Sequence, residues 1–91
     1  MARWVTHRTD NGSKALIKYA ESIGLEFDSV GGKLDGFVWL GRHVRLVDFK
    51  SKGGELTPAQ SKLVARGCPV NFVSTPAQLD ALKTEMLRGD R

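Results

Sequence analysis

Cysteine and histidine are scarce in this sequence, which contains only Cys68, His7 and His43 among its 91 residues. A single cysteine cannot form a disulfide within the chain, as is typical of proteins from a reducing compartment. The two histidines lie far apart in the sequence and lack the spacing of zinc ligands. The sequence therefore predicts neither a disulfide framework nor a zinc site.

Long apolar runs are also absent, since the longest uninterrupted one covers only residues 37–40. Four residues are far too few to cross a bilayer, and no apolar signal-peptide segment follows the charged N-terminus. A chain with 41% hydrophobic and 26% charged residues has the composition of an ordinary globular protein. We therefore expect a cytoplasmic protein without membrane contact. It should form one domain over residues 1–91, with an irregular N-terminal segment at residues 1–12.

The charge balance is basic, with 14 Lys and Arg against 10 Asp and Glu, a net charge of +4 and a pI near 9.6. Clustered cations on a small domain gain affinity for a polyanion by releasing counterions from its phosphates. A solvated surface with a slight basic excess is the other interpretation. Charge alone does not decide between them.

Hydrophobic periodicity and turn residues predict an alternating order of helices and strands. Residues 13–23 have apolar positions at helical spacing, and a three-stranded meander follows, with a hairpin turn at Gly41-Arg42. The repeated tetrapeptide Thr-Pro-Ala-Gln supplies an N-cap, a first-turn proline and a capping-box glutamine. The predicted elements are a helix at 13–23, strands at 25–30, 34–40 and 43–50, a helix at 58–66, a strand at 70–73 and a helix at 76–88. A last strand reached through a helical crossover is expected to be parallel to its neighbour, which gives an α/β fold with a mixed sheet.

Charged residues close the most hydrophobic strand, where Asp48-Phe49-Lys50 follows Val44, Leu46 and Val47. Strand periodicity places Asp48 and Lys50 on one face. Asp35 starts the preceding strand, so the hairpin should bring it beside Asp48. Two carboxylates suit a hard divalent cation, and a nearby lysine can orient water or stabilise negative charge.

The combined motifs resemble a known family. Three segments of the sequence are similar to the virus-type replication–repair nuclease (VRR-NUC) domain. They are the segment around Asp35 at residues 32–36, the strand end at residues 44–50, and the Gly-rich loop with the helix start at residues 53–60. This family belongs to the PD-(D/E)xK nuclease superfamily, and the resemblance covers about residues 13–88. It implies a restriction-endonuclease-like α-β-β-β-α-β core with a further C-terminal helix. It also implies metal-dependent hydrolysis of DNA, branched DNA in some members.

The resemblance assigns roles to individual residues of the predicted site. It implies that Asp35 and Asp48 are ligands of Mg²⁺ or Mn²⁺, with the backbone carbonyl of Phe49 as a third ligand. Lys50 would be the catalytic lysine and Gln60 a supporting catalytic residue. By local pattern alone Gln60 is a helix cap, as Gln78 is. Independently of the resemblance, Lys52 directly follows the strand and is the best candidate for contact with DNA phosphates. Lys62 on the next helix is a further candidate, for which a solvated surface role is the other interpretation.

Two positions depart from the family pattern. Leu34 stands where a proline is usual, and the acid expected from the first helix is ambiguous. Glu21 faces solvent on the helical wheel. Asp10 precedes the helix, where it would either reach the site or act as an N-cap, and it is the preferred candidate. A metal site without either acid would be poorer than usual.

A domain of this size offers little surface for gripping branched DNA, so we expect a two-fold symmetric homodimer. The alternatives to a nuclease are a non-catalytic nucleic-acid-binding module with the same fold and a small interaction protein with an incidental acid–lysine pair.

Overall fold

A computed structural model of the chain describes residues 11–51 and 54–89. The elements, in chain order, are α1 (Asn11–Ser22), β1 (Glu26–Ser29), β2 (Gly36–Leu40), β3 (His43–Phe49), α2 (Pro58–Ala65), β4 (Val70–Val73) and α3 (Pro76–Gly89). This order agrees with the one predicted from the sequence. Several predicted boundaries differ by one or two residues from those of the structure, and the clearest difference is that residues 11 and 12 are helical and not irregular. Residues 1–10, the rest of that predicted segment, lie outside the described residues.

The four strands form one mixed sheet in the order β1-β2-β3-β4. β2 is antiparallel to both β1 and β3, and β3 is parallel to β4. The parallel pair follows from the α2 crossover, because a strand reached through a helix can run in the same direction as its neighbour. The predicted α/β fold with a mixed sheet and flanking helices is confirmed at this level.

The hydrophobic core lies on one face of the sheet, beneath α1 and α3. Alternate residues of the central strands, among them Val38 and Val47, are fully buried there, as strand periodicity requires. The two helices contribute apolar side chains at helical spacing. The buried core consists of Leu16, Ala20, Leu25, Val38, Val47, Phe49, Val73, Leu79, Leu82 and Met86.

The opposite face of the sheet carries the intervening residues of β3, including Asp48. Helix α2 approaches this second face, because its residue Gln60 bonds to Lys50, which alternates with the core residue Phe49. The sheet therefore separates an apolar core from a face on which polar side chains meet. None of the helices within the described ranges is long and apolar enough to cross a membrane.

Candidate functional site: a partly buried Asp–Asp–Lys–Gln cluster

The β2–β3 hairpin brings Asp35 and Asp48 together. Gly36 pairs with Val47, so Asp35, which precedes β2, lies beside Asp48 near the end of β3. The backbone N–H of Asp35 donates to Asp48 Oδ1 at 3.0 Å. The backbone N–H of Phe49 donates to Asp35 Oδ2 at 2.7 Å. Each carboxylate is thus held by a backbone N–H from the other strand, which fixes the two side chains relative to the sheet.

Lys50 joins the cluster from the same face as Asp48. Its Nζ lies 3.0 Å from Asp48 Oδ2, and the two side chains are only 16% and 7% exposed. The Nζ also lies 5.9 Å from the ring centroid of Phe72, within the range of a cation–π contact. Phe72 pairs with Asp48 in the β3–β4 register, so strand parity could have identified this neighbour once the β4 pairing was known. The sequence alone did not single it out.

Gln60 has two sets of bonds, one to the helix start and one to the cluster. Its Oε1 accepts from the Thr57 backbone N–H at 3.1 Å and from Lys50 Nζ at 2.7 Å. Its Nε2 donates to the carbonyl oxygen of Lys33 at 2.8 Å. The residue is 3% exposed. Gln60 therefore forms the predicted capping box and also links α2 to the lysine and to the segment before Asp35.

Among the described residues, Gln78, the corresponding residue of α3, makes only local bonds. Its Oε1 accepts from the backbone N–H groups of Ser74 and Thr75, and its own N–H donates to the Thr75 hydroxyl. Gln78 is exposed. Two identical tetrapeptides thus cap two helices, but only the first places its glutamine in the cluster.

The electrostatics of the cluster affect Asp35 most clearly. Burial raises the pKa of the Asp35 carboxyl above its ordinary value, and the neighbouring Asp48 carboxylate raises it further. The Phe49 N–H and the Lys50 ammonium act in the opposite direction without cancelling the rise in pKa. Folding therefore disfavours the ionised form of Asp35, and additional positive charge at this position would restore it.

The oxygens of Asp35 and Asp48 suit a magnesium ion, because Mg²⁺ is commonly held by one or two carboxylates together with water and substrate phosphates. Within residues 11–51 and 54–89, no group of three or more His, Cys, Asp or Glu side chains is placed to hold a metal. Phe49 contacts Asp35 through its N–H, and its carbonyl as a third ligand stays a prediction. Backbone, water and substrate could supply further ligands, and Asp10, the predicted acid, lies outside the described residues.

The remaining predicted residues fall into three groups. Glu21 is exposed on α1, as the helical wheel predicted. Lys52 lies outside the described residues, so its contact with DNA stays a prediction. Lys62 is exposed on α2 and lines a surface groove that it shares with Lys33 and Arg66. Sequence reasoning gave no role to Lys33, whose carbonyl holds Gln60.

The chain matches no family model, no curated protein and no solved structure. The interpretation of the cluster therefore depends on its motifs and its geometry.

Proposed function

We propose that this protein is a metal-dependent DNA nuclease whose site is formed by Asp35, Asp48, Lys50 and Gln60. The observation that carries the proposal is the convergence of these side chains from two strands and a helix into one hydrogen-bonded cluster. Two adjacent carboxylates beside a lysine suit phosphodiester hydrolysis. The resemblance of the surrounding motifs to the VRR-NUC domain supports the same activity.

Asp35 and Asp48 would hold Mg²⁺ or Mn²⁺, together with the carbonyl of Phe49. The bound ion would supply Lewis acidity and a more acidic water. The ammonium of Lys50 has three N–H donors, and its bonds to Asp48 and Gln60 use two of them. The third can orient a water or stabilise negative charge on a phosphate oxygen.

Gln60 acts through Lys50 in this proposal, so it is a positioning residue. Its amide oxygen holds Nζ at 2.7 Å, and its amide nitrogen is anchored to the carbonyl of Lys33. Because the amide is bonded at both ends, the lysine is held in one position. Such preorganisation lowers the cost of placing a charge where the transition state needs it.

One observation favours the second candidate function, a non-catalytic nucleic-acid-binding module. In the described part of the chain, Asp35 and Asp48 have no third acidic side chain near enough to complete a metal site with them. A weak metal site would leave a protein that binds nucleic acid without cutting it. The two candidates differ in their response to metal, because only the nuclease needs Mg²⁺ or Mn²⁺.

The direct test is cleavage of a panel of branched, nicked, single-stranded and duplex DNA with and without Mg²⁺. The parent is expected to cut at least one member of the panel, and chelation should abolish this. Lys50→Ala should lose cleavage while still being stabilised by Mg²⁺, because the carboxylates remain. Cleavage that persists in Lys50→Ala would contradict the role assigned to the lysine.

A stability measurement separates metal binding from a purely structural ion pair. In metal-free protein, Asp48→Asn removes the partner of a largely buried ammonium and should lower the free energy of unfolding by about 2 kcal/mol. This figure lies in the range for a hydrogen bond to a charged group and below the range for breaking a fully buried pair, because Lys50 keeps some exposure and its bond to Gln60. It corresponds to a Tm lower by about 8–16 °C.

Asp35→Asn is expected to act in the opposite direction in metal-free protein. The asparagine oxygen can still accept from the Phe49 N–H. The substitution removes the negative charge of Asp35, which burial and the neighbouring Asp48 disfavour, as the raised pKa indicates. Its Tm should therefore be equal to or above that of the parent.

Mg²⁺ at ten times its Kd should stabilise the parent by about 1.4 kcal/mol through mass action, and neither asparagine variant should gain comparably. If the Tm of the parent does not respond to Mg²⁺ and the parent cuts no DNA in the panel, the nuclease proposal is rejected in favour of the binding module.

A further inference from the structure

A groove of about 490 Å³ runs between α2 and the segment that precedes Asp35. It is lined by apolar residues of α2, namely Pro58, Ala59, Leu63 and Ala65, and by the cations Lys33, Lys62 and Arg66. The two cations of α2 and its C-terminal end, Lys62 and Arg66, are exposed. We call this feature the basic groove.

Among the described residues, the lining of the basic groove includes three cations and no acidic side chain. Three other grooves on the described surface differ, because each has Glu85 in its lining. The ion pair between Lys50 and Asp48 in the described part of the chain belongs to the cluster and uses none of the cations of the basic groove. A surface with this charge favours a polyanion.

The basic groove is connected to the Asp–Asp–Lys–Gln cluster through Gln60. This residue belongs to α2, donates to the carbonyl of Lys33 and accepts from Lys50. One wall of the groove and the cluster are therefore fixed to each other by two hydrogen bonds of a single side chain. Lys33 lines the groove and stands two positions before Asp35, so this end of the groove lies near the cluster.

The spacing of the cations along α2 suits successive phosphates. Lys62 and Arg66 are four residues apart and occupy the same helical face, which separates them by about 6 Å along the helix axis. One DNA strand carries a phosphate about every 3.4 Å of axis. Two cations at this spacing can contact neighbouring or next-neighbouring phosphates of one strand.

We propose that the basic groove binds the phosphate backbone of a DNA strand and leads it to Asp35 and Asp48. This inference rests on the proposed function, since it names the path of the same substrate. It assigns Lys62 and Arg66 to backbone contacts that carry no sequence information. Lys33 contributes a side-chain charge to the groove and a backbone carbonyl to Gln60.

The test measures binding of labelled duplex DNA by fluorescence anisotropy in EDTA, where no cleavage interferes, across a series of salt concentrations. The double variant Lys62→Gln/Arg66→Gln removes two charges from the groove. The matched control Lys18→Gln/Arg42→Gln also removes one lysine and one arginine charge. Lys18 lies on α1, which packs on the core face. Arg42 lies in the hairpin turn, at the other end of β2 from Asp35.

The slope of log K against log salt is negative, and its magnitude should fall by about 0.9 for each phosphate that the protein no longer neutralises. We therefore expect a decrease in magnitude of about 1.8 in the groove variant and no such decrease in the control. Thermal unfolding of both variants checks that neither change disturbs the fold. An equal fall in slope for both variants would overturn the inference, because DNA would then respond only to net charge. A parent that binds no DNA at low salt would also overturn it.

The failure of the proposed function gives a different result. If the groove variant loses slope as expected but the parent cuts no DNA in Mg²⁺, the groove is supported as a DNA-binding surface and the nuclease is rejected. If the parent cuts DNA and the groove variant keeps the parent's slope, the nuclease is supported and the groove is rejected.

Discussion

The paired substitutions Gln60→Ala and Gln78→Ala test whether the cluster is more than a by-product of helix capping. Both glutamines stand third after a threonine cap in the same tetrapeptide, and both accept a bond from the backbone N–H of that threonine. Only Gln60 also bonds to Lys50 and to the carbonyl of Lys33. Each substitution removes the bond to the threonine N–H, so this contribution cancels in the comparison, while Gln78→Ala also removes an exposed bond to the Ser74 N–H that slightly reduces the difference.

The expected difference follows from the bonds of Gln60 that Gln78 lacks. Loss of the capping interaction costs about 0.5–1 kcal/mol in each variant. Gln60→Ala also removes a hydrogen bond to an ammonium, worth about 1.5–3 kcal/mol, and a neutral one worth about 1 kcal/mol. Gln60→Ala should therefore be less stable than Gln78→Ala by about 2–4 kcal/mol. In a domain of this size the Tm should be lower by about 10 °C or more.

Thermal unfolding followed by circular dichroism measures this difference, and DNA cleavage is then assayed at a temperature where both variants are folded. We expect Gln78→Ala to cut DNA like the parent. Gln60→Ala should lose cleavage per folded molecule, because Lys50 is no longer held. Equal Tm losses with equal cleavage would refute the reasoning and return Gln60 to the role of a simple cap.

Two further predictions concern backbone packing and assembly. A Cβ at Gly36 would lie 2.2 Å from the carbonyl oxygen of Asp28, so Gly36→Ala should separate β1 from β2 and cost about 3 kcal/mol. Gly31→Ala is the control, since a Cβ there would meet no described atom within 4 Å beyond its chain neighbours; urea unfolding should show it to be neutral or slightly stabilising. Light scattering at tens of micromolar is expected to give twice the 10.0 kDa chain mass, because a domain of this size needs a second copy to grip branched DNA; a value of 10.0 kDa would exclude the dimer.

The sequence predicted the parts of the site that depend on local signals. Strand alternation and a two-residue turn at Gly41-Arg42 place Asp35 beside Asp48, and the hairpin register has this arrangement. Strand parity also places Lys50 on the face of Asp48, where their ion pair forms. These inferences need only period and turn geometry, which a short stretch of chain determines.

Local patterns could not predict the arrangement of Gln60, which only the family resemblance assigned to the site, because that arrangement depends on where α2 lies over the sheet. Gln60 and Gln78 share the same local pattern, so no local rule distinguishes the buried residue from the exposed one. The carbonyl of Lys33, 27 positions away in the chain, has no pattern that marks it as a partner. Such contacts are determined by tertiary packing and not by propensity.

The structure also changes an expectation about metal-free stability. From two adjacent carboxylates alone, mutual repulsion predicts that Asp48→Asn is neutral or stabilising without metal. The 3.0 Å separation of Asp48 and Lys50 reverses that sign, since the substitution leaves a largely buried ammonium without its counter-charge. The relief of repulsion is instead expected at Asp35, whose carboxylate accepts from a backbone N–H.

The energetics of Asp35 favour a cation-binding role over a purely structural one. A carboxyl whose pKa is raised in the folded state binds protons more strongly there than in the unfolded chain, so stability falls as pH rises through the two pKa values. At neutral pH the ionised Asp35 therefore lowers the stability of the fold. An asparagine would keep the bond to the Phe49 N–H without this destabilisation. A bound divalent cation would instead stabilise the ionised carboxylate of Asp35. Residues that reduce stability in this way cluster at functional sites, and Asp35 lies beside Asp48, in the cluster that also contains Lys50.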